Sequence, residues 1–234
     1  MKITASNLTH WAGLSAIVAG IMYVIVGLSH TFVSHYGGLA SVTNDVWVLT
    51  HSLTIGVSFF GLLGIAGIYA RQVEKAGWFG LAGFLLLSLW LVLVPGFTFF
   101  EALILPLLAT EAPRFAVGFL GITSGSPSEV SLGILPAVYS ATSVLYLLGG
   151  VLLGIATFRA GVLPRWAGGG LAVATVAPLA LSLLLPHEFI RLAAVPIGVA
   201  LVWLGYVLWS ERRETVSESL PRRVSSQLRP AATG

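Results

Sequence analysis

The 234-residue chain contains no cysteine, which removes disulfides, zinc–thiolate sites, iron–sulfur clusters and thiol nucleophiles from consideration. Charge is almost as scarce. Asp, Glu, Lys and Arg make up 9 % of the residues, against about 25 % in soluble domains. Enzyme signatures are missing too: there is no G-x-S-x-G elbow, no Walker loop and no dinucleotide fingerprint leading into a βαβ unit. The glycines of "GLLGIAG" sit inside an apolar run, where a phosphate has no place. What is abundant is hydrocarbon, with 56 % hydrophobic residues and a mean hydropathy of +0.94. A folded sphere of this composition has too little polar surface to face water, so its natural solvent is lipid.

Apolar runs fill most of residues 11–209. They divide into six spans at about 11–30, 46–69, 78–100, 137–158, 167–185 and 189–209, each near the ~20 residues that a helix needs to cross a bilayer. "YGG" and "TND", "RQVEKAG", "TSGSPSE", "RAGVLPR" and "PHE" supply the breaks. Backbone groups inside lipid are satisfied only within helices or closed barrels. The expected fold is therefore all-α, a polytopic integral membrane bundle of six transmembrane helices over residues 1–210, with a disordered polar tail over 211–234. The first run lacks a cleavage site and is too long for a signal-peptide core, so it reads as a retained span.

The placement of charge sets a direction. On the six-span map Lys2, Arg71, Lys75, Arg159, Arg165, Arg212, Arg213, Arg222, Arg223 and Arg229 fall on one side, and Arg114 and Arg191 on the other. The positive-inside rule then puts both termini in the cytoplasm of a bacterial inner-membrane protein. The net charge of +3 reflects topology and tail, with no basic stripe for nucleic acid. The partners this implies are the lipid bilayer and either other membrane-protein subunits or a second copy of the chain.

"LLGIAGIYARQVEKAGWFGLA" (62–82) is echoed ninety residues later by "LLGIATFRAGVLPRWAGGGLA" (152–172). Each copy is a span end, a basic turn and a span start, so the echo predicts a parallel helical-hairpin repeat of spans 2–3 and 4–5. Gly64 and Gly154, with Gly80 and Gly170, would let helices approach closely. Gly161 is expected to end one helix and Pro164 to open the next, with Trp78 and Trp166 at the interface. In the first span Gly13, Ala16, Gly20 and Gly27 form a small-residue seam suited to internal packing.

The second copy resembles a motif of small bacterial multi-span membrane proteins of the domain-of-unknown-function type, in which a Gly-rich span runs into an Arg-x-Gly-x-x-Pro-Arg-Trp turn. "WVLTHSLTIGVSFFGLLGIAGIYARQ" is similar to the same group. The resemblance implies a six-span inner-membrane protein and carries over no catalytic residue.

Ionisable and polar groups inside spans are costly, and each is a candidate for function. His51, Thr54 and Ser58 make a stripe in the outer half of span 2. Thr98 and Glu101 lie at the outer end of span 3, beyond a kink expected at Pro95. Tyr139, Ser143 and Tyr146 stripe the outer half of span 4. His30 and His35 leave span 1, Asp45 opens span 2, and His187, Glu188 and Arg191 occupy the last outer turn. Polarity thus gathers on the outer half, leaving the inner half apolar apart from its basic loops.

Three readings follow. His51 and Glu101 pair for packing in a non-enzymatic accessory or structural subunit; they line an outward-facing pocket for a small ligand or proton, in a binding protein or a small-solute or proton-coupled transporter; or His30, His51 and Glu101 hold a metal or haem in a redox protein. The sequence requires no cofactor and contains no H-x-x-x-H or H-E-x-x-H spacing. The long connection at 110–136 contains "FAVGFLG", suited to an amphipathic lid over such a pocket.

Overall fold

The fold is described from a computed structural model over residues 4–31, 33, 38–182 and 191–219. Among these residues every regular element is helical. The main helices are α1 (Ala5–Ser29), the short α2 (Leu39–Val42), α3 (Asp45–Phe99), a π-helical turn (Phe100–Ile104), α4 (Leu105–Glu111), α5 (Pro113–Ser124), α6 (Leu135–Ala160), α7 (Arg165–Leu181) and α8 (Ala194–Ser219). Four helices are long and apolar enough to cross a membrane: Ala5–Ser29, the run Asp45–Glu111, Leu135–Ala160 and Ala194–Glu211. The helix starts are chemically explicit. Thr4 accepts the Asn7 amide at 3.2 Å, and the Asn44 side chain accepts that of Val46 at 2.8 Å, each satisfying a donor that helix geometry strands.

The helix α3 is two antiparallel arms, 45–76 and 78–99. Its break is one residue, Gly77, at φ 58° and ψ −163°, a backbone state open to glycine and strained for any other residue. The fold-back brings Tyr69 onto Phe84, with ring centroids 4.8 Å apart, and Trp47 onto Glu101. This corrects the expected turn: "RQVEKAG" is helical through Ala76, because its Arg, Gln, Glu and Lys are good helix formers and only Gly77 stops them. The second hairpin turn follows the sequence reading. Gly161 caps α6 in the left-handed region at φ 60°, and Pro164 caps α7.

The segments close into a ring. The first arm of α3 packs on α1, the second on α6, α6 on α7, α7 on α8, and α8 back on α1. Glycine sets the closest of these approaches. A Cβ on Gly13 would lie 2.7 Å from the Trp209 nitrogen, and one on Gly20 would lie 2.5 Å from the Gly198 carbonyl oxygen. Gly64 meets Ala16 of α1, and Gly154 meets Gly168 and Ala172 of α7.

The ninety-residue echo is not matched residue by residue in the contacts. The two turns sit at Gly77 and Gly161, which are not ninety residues apart, and a Cβ on Gly170 would touch nothing within 4 Å. Leu/Gly/Ala-rich helices share composition without sharing contacts.

The ring's outer face is apolar and exposed, with Phe59, Leu85, Leu107 and Val173 among many such side chains, as a lipid-facing surface requires. Arg71, Lys75, Arg159 and Arg165 collect at the end carrying the two hairpin turns. There the Arg159 guanidinium lies over the Phe79 ring at 5.9 Å, and Arg71 Nε donates to Glu211 Oε2 at 2.8 Å. Trp78 and Trp166 are 84 % and 77 % exposed at the same end, suiting a membrane interface. The helix α8 continues past residue 210, and residues 220–234 lie outside the described ones.

Candidate functional site

At the opposite end, helix irregularity exposes one backbone carbonyl to a side chain. Pro106 has no N–H, and within an α-helix its ring would clash with the carbonyl four residues earlier. The chain widens into the π-helical turn, where the Leu105 amide bonds to the Phe100 carbonyl. In that register the Glu101 carbonyl would look to residue 106, which is proline. Trp47 Nε1 fills the vacancy, donating to the Glu101 oxygen at 2.6 Å. This bond ties the two arms of α3 together and fixes the Glu101 backbone.

The Glu101 side chain then meets three elements. Tyr139 of α6 donates its hydroxyl to Glu101 Oε1 at 3.0 Å. His51 Nε2 stands 3.4 Å from Glu101 Oε2, beyond a strong hydrogen bond but within ionic contact. His51 is held by its own helix, with Nδ1 at 2.8 Å from the Trp47 carbonyl oxygen and its ring stacked on Trp47 at 4.2 Å between centroids. A carbonyl only accepts, so Nδ1 carries a proton. His30, at the end of α1, repeats the device: its Nδ1 donates to the Val26 carbonyl at 2.8 Å, and its ring lies edge-on to His51 at 5.5 Å. Thr50 Oγ1 donates to Ser29 Oγ at 3.0 Å, joining α3 to α1 beside them.

The cluster is enclosed. His30, His51 and Glu101 are 7 %, 2 % and 6 % exposed. The connection at 110–136 is ordered largely as α5, whose Ala116, Phe119 and Leu120 pack with Trp47, Leu105 and Val42. Phe119 meets the Tyr139 ring edge-on at 5.7 Å, and Phe97 covers it from the other side at 4.5 Å. The amphipathic stretch does cover the site, but as a seated plug of apolar side chains over a closed cluster, not over an open pocket.

Of the residues singled out in the sequence, His51, Glu101, Tyr139 and His30 are brought together. Thr54, Ser58 and Thr98 turn back on their own helices, donating to the carbonyls of Thr50, Thr54 and Val94, and Ser143 is exposed and donates to Tyr139 O. Tyr146 lies deeper, its enclosed hydroxyl facing that of Tyr23. His30, His51 and Glu101 run in series, and among the described residues no group of three or more metal-binding side chains is assembled. His35, His187 and Glu188 lie outside the described residues.

Two features were missed. Trp47 gave no sequence signal beyond aromaticity, because its role depends on the fold-back at Gly77. Gln72 falls within the turn expected at "RQVEKAG", yet it is 1 % exposed and donates through Nε2 to Thr157 Oγ1 of α6 at 2.7 Å. The inner half is therefore not uniformly apolar. Spacing offered a clue: His51, Ser58, Ile65 and Gln72 recur every seven residues, and all four are buried.

Between the two polar levels lies a cavity of about 40 Å³ on the ring's axis. Every helical segment of the ring lines it, including Tyr23, Gly61, Leu87, Tyr146, Thr175 and Leu201.

No family model matches the chain, and no curated protein or solved structure matches it.

Proposed function

We propose that the chain is a non-enzymatic integral membrane protein of the bacterial inner membrane, crossing six times with both ends cytoplasmic, whose outer half binds one proton between His51 and Glu101. The crossings are α1, the two arms of α3, α6, α7 and α8. Support for the count comes from the fold-back at Gly77 and the four long apolar helices, and for the direction from the basic residues gathered at one end.

The observation that carries the proton is the fixed orientation of His51. With Nδ1–H committed to the Trp47 carbonyl, a neutral imidazole has only a lone pair on Nε2. That lone pair would face Glu101 Oε2 at 3.4 Å in a site that excludes water. An ionised carboxylate opposite a lone pair is repulsive, and burying that charge away from water is costly. One proton removes both penalties. It sits on Nε2 as imidazolium against carboxylate, or on Oε2 as carboxylic acid donating to imidazole, and either form makes the pair neutral. The Tyr139 hydroxyl supports the carboxylate from its other oxygen, and α5 keeps water out.

Infrared difference spectra of the membrane-reconstituted protein against Glu101→Gln test this. A proton shared within the pair gives either a carboxylic C=O band or doubly protonated imidazole bands at neutral pH, and the signal vanishes in the variant. An ionised Glu101 beside a neutral His51 would overturn the reading. Reporter fusions after Lys75 and Arg165 test the topology, with cytoplasmic signals expected at both and a periplasmic signal at either breaking the six-crossing map.

A further inference from the structure

We propose that the axis of the helix ring is a proton path across the membrane, gated by the dryness of its central cavity; this rests on the proton-holding pair proposed above. The helices place buried polar groups at successive depths. Counting about 1.5 Å per residue from the two hairpin turns, Gln72 and Thr157 stand roughly 7 Å in, Thr175 about 15 Å and Tyr146 about 22 Å. On the same scale Ser58 stands about 28 Å in and Tyr139, which bonds to Glu101, about 33 Å. The ladder covers the ~30 Å of a hydrocarbon core. No step in depth exceeds roughly 10 Å, a rise that two or three waters span at about 2.8 Å per hydrogen bond.

Two observations mark this ladder as more than packing. Gln72 Oε1 is fully enclosed and meets no donor among the described residues. Its orientation is not arbitrary: Thr157 Oγ1 already donates to the Leu153 carbonyl at 2.9 Å, so the Gln72 amide must present its NH₂ there and aim its oxygen elsewhere. An enclosed acceptor of this kind is where proteins seat water. The second is the cavity. It occupies the one stretch of the axis shared by all the ring's segments, with the Tyr146 and Thr175 hydroxyl-bearing side chains in its wall. Its volume of about 40 Å³ exceeds the ~10–15 Å³ that one water needs. Apart from Tyr23, whose hydroxyl faces that of Tyr146, the remaining wall is Leu, Ile, Val, Trp and Gly, which leaves the space dry at rest. An apolar constriction of this sort gates by wetting and drying.

In the wetted state the proton held by the His51–Glu101 pair passes onto the water file, and lifting of the α5 plug admits the next one from the outer side. The released proton leaves at the basic end past Gln72. One proton enters for each that leaves, and no redox partner is involved.

The full-length protein in vesicles holding a pH-sensitive dye, driven by a potassium diffusion potential, tests the path. The wild-type chain is expected to carry protons faster than protein-free vesicles. Thr175→Val, which keeps shape but removes a station, is expected to lower the flux roughly tenfold, if the upper end of one hydrogen bond's net contribution is added to the barrier. Leu87→Ser, which adds a hydroxyl to the cavity wall, is expected to raise it several-fold, and Glu101→Gln to abolish it. Flux equal to that of protein-free vesicles in both wild type and Leu87→Ser overturns the path, as does an unchanged Thr175→Val. Infrared spectra of the same vesicles separate the two proposals. A proton signature without flux removes the path and leaves the pair, whereas no proton signature removes both.

Discussion

Replacing Gly20 by alanine perturbs the α1–α8 seam of the ring with a single methyl group. That methyl would stand 2.5 Å from the Gly198 carbonyl oxygen and 2.8 Å from Val202 Cγ2. Both contacts are well inside normal separation, and one is backbone, which cannot rotate away. Gly198 faces the same conflict in reverse, 2.5 Å from the Gly20 oxygen, so the helices must part along a whole turn. Overpacking of this kind costs about 1–3 kcal/mol. Loss of the close Cα–H···O contacts such a seam permits adds about half to one kcal/mol for each contact. A total near 2–3 kcal/mol shifts the folded-to-unfolded ratio by about thirty- to a hundred-and-fifty-fold, since 1.4 kcal/mol is a factor of ten. Gly170→Ala is the matched control. The same methyl meets nothing within 4 Å there, and alanine's helix propensity makes the change neutral or stabilising by up to ~1 kcal/mol. Equilibrium unfolding in mixed detergent, followed by helical circular dichroism, measures both. Equal midpoints for the two variants would refute the assigned α1–α8 contact.

Other substitutions probe the remaining joints. Trp47→Phe keeps the ring on His51 but strands the Glu101 carbonyl; the expected cost is about 1–3 kcal/mol, read in the same unfolding assay. Gly77→Ala forces a side chain into φ 58°, and a destabilisation of about 1–3 kcal/mol is expected, with the Tyr69–Phe84 contact loosened in cross-linking. Arg71→Ala removes a half-exposed ion pair with Glu211 and is expected to change stability by less than about 1 kcal/mol, an effect that fades in high salt.

The sequence made the class of the protein plain because lipid leaves a physical imprint: scarce charge, long apolar runs and basic residues sorted to one side. The His51–Glu101 encounter was foreseeable from depth alone, since the two residues sit at matching heights on successive spans. Tyr139 joined them because it lies one turn below the outer end of the next helix. Other parts of the site depend on single-residue geometry that periodicity does not encode. A helix expected to stop near residue 69 runs to Ala76 and ends at Gly77, and this shift carries Gln72 from a turn into the core. The Trp47 bond exists because Pro106 withholds a donor from a π-helical turn fifty-odd residues further along the chain. The echo at ninety residues does not fix contacts, for the opposite reason. Small apolar residues recur wherever helices pack in lipid, and Gly170 shows that a matching letter need not face a matching neighbour.

The most direct test of the central claim is the ¹⁵N NMR spectrum of His51 in membrane-reconstituted protein, assigned by comparison with His51→Gln. Nδ1 is expected to be protonated and hydrogen-bonded in every condition, because it donates to the Trp47 carbonyl. Nε2 is expected at neutral pH either to carry the shared proton or to accept it in a strong hydrogen bond from a protonated Glu101, and Glu101→Gln is expected to shift that nitrogen alone. A His51 Nε2 with the shift of a bare lone pair, indifferent to Glu101→Gln, would contradict the claim that the two side chains hold a proton between them.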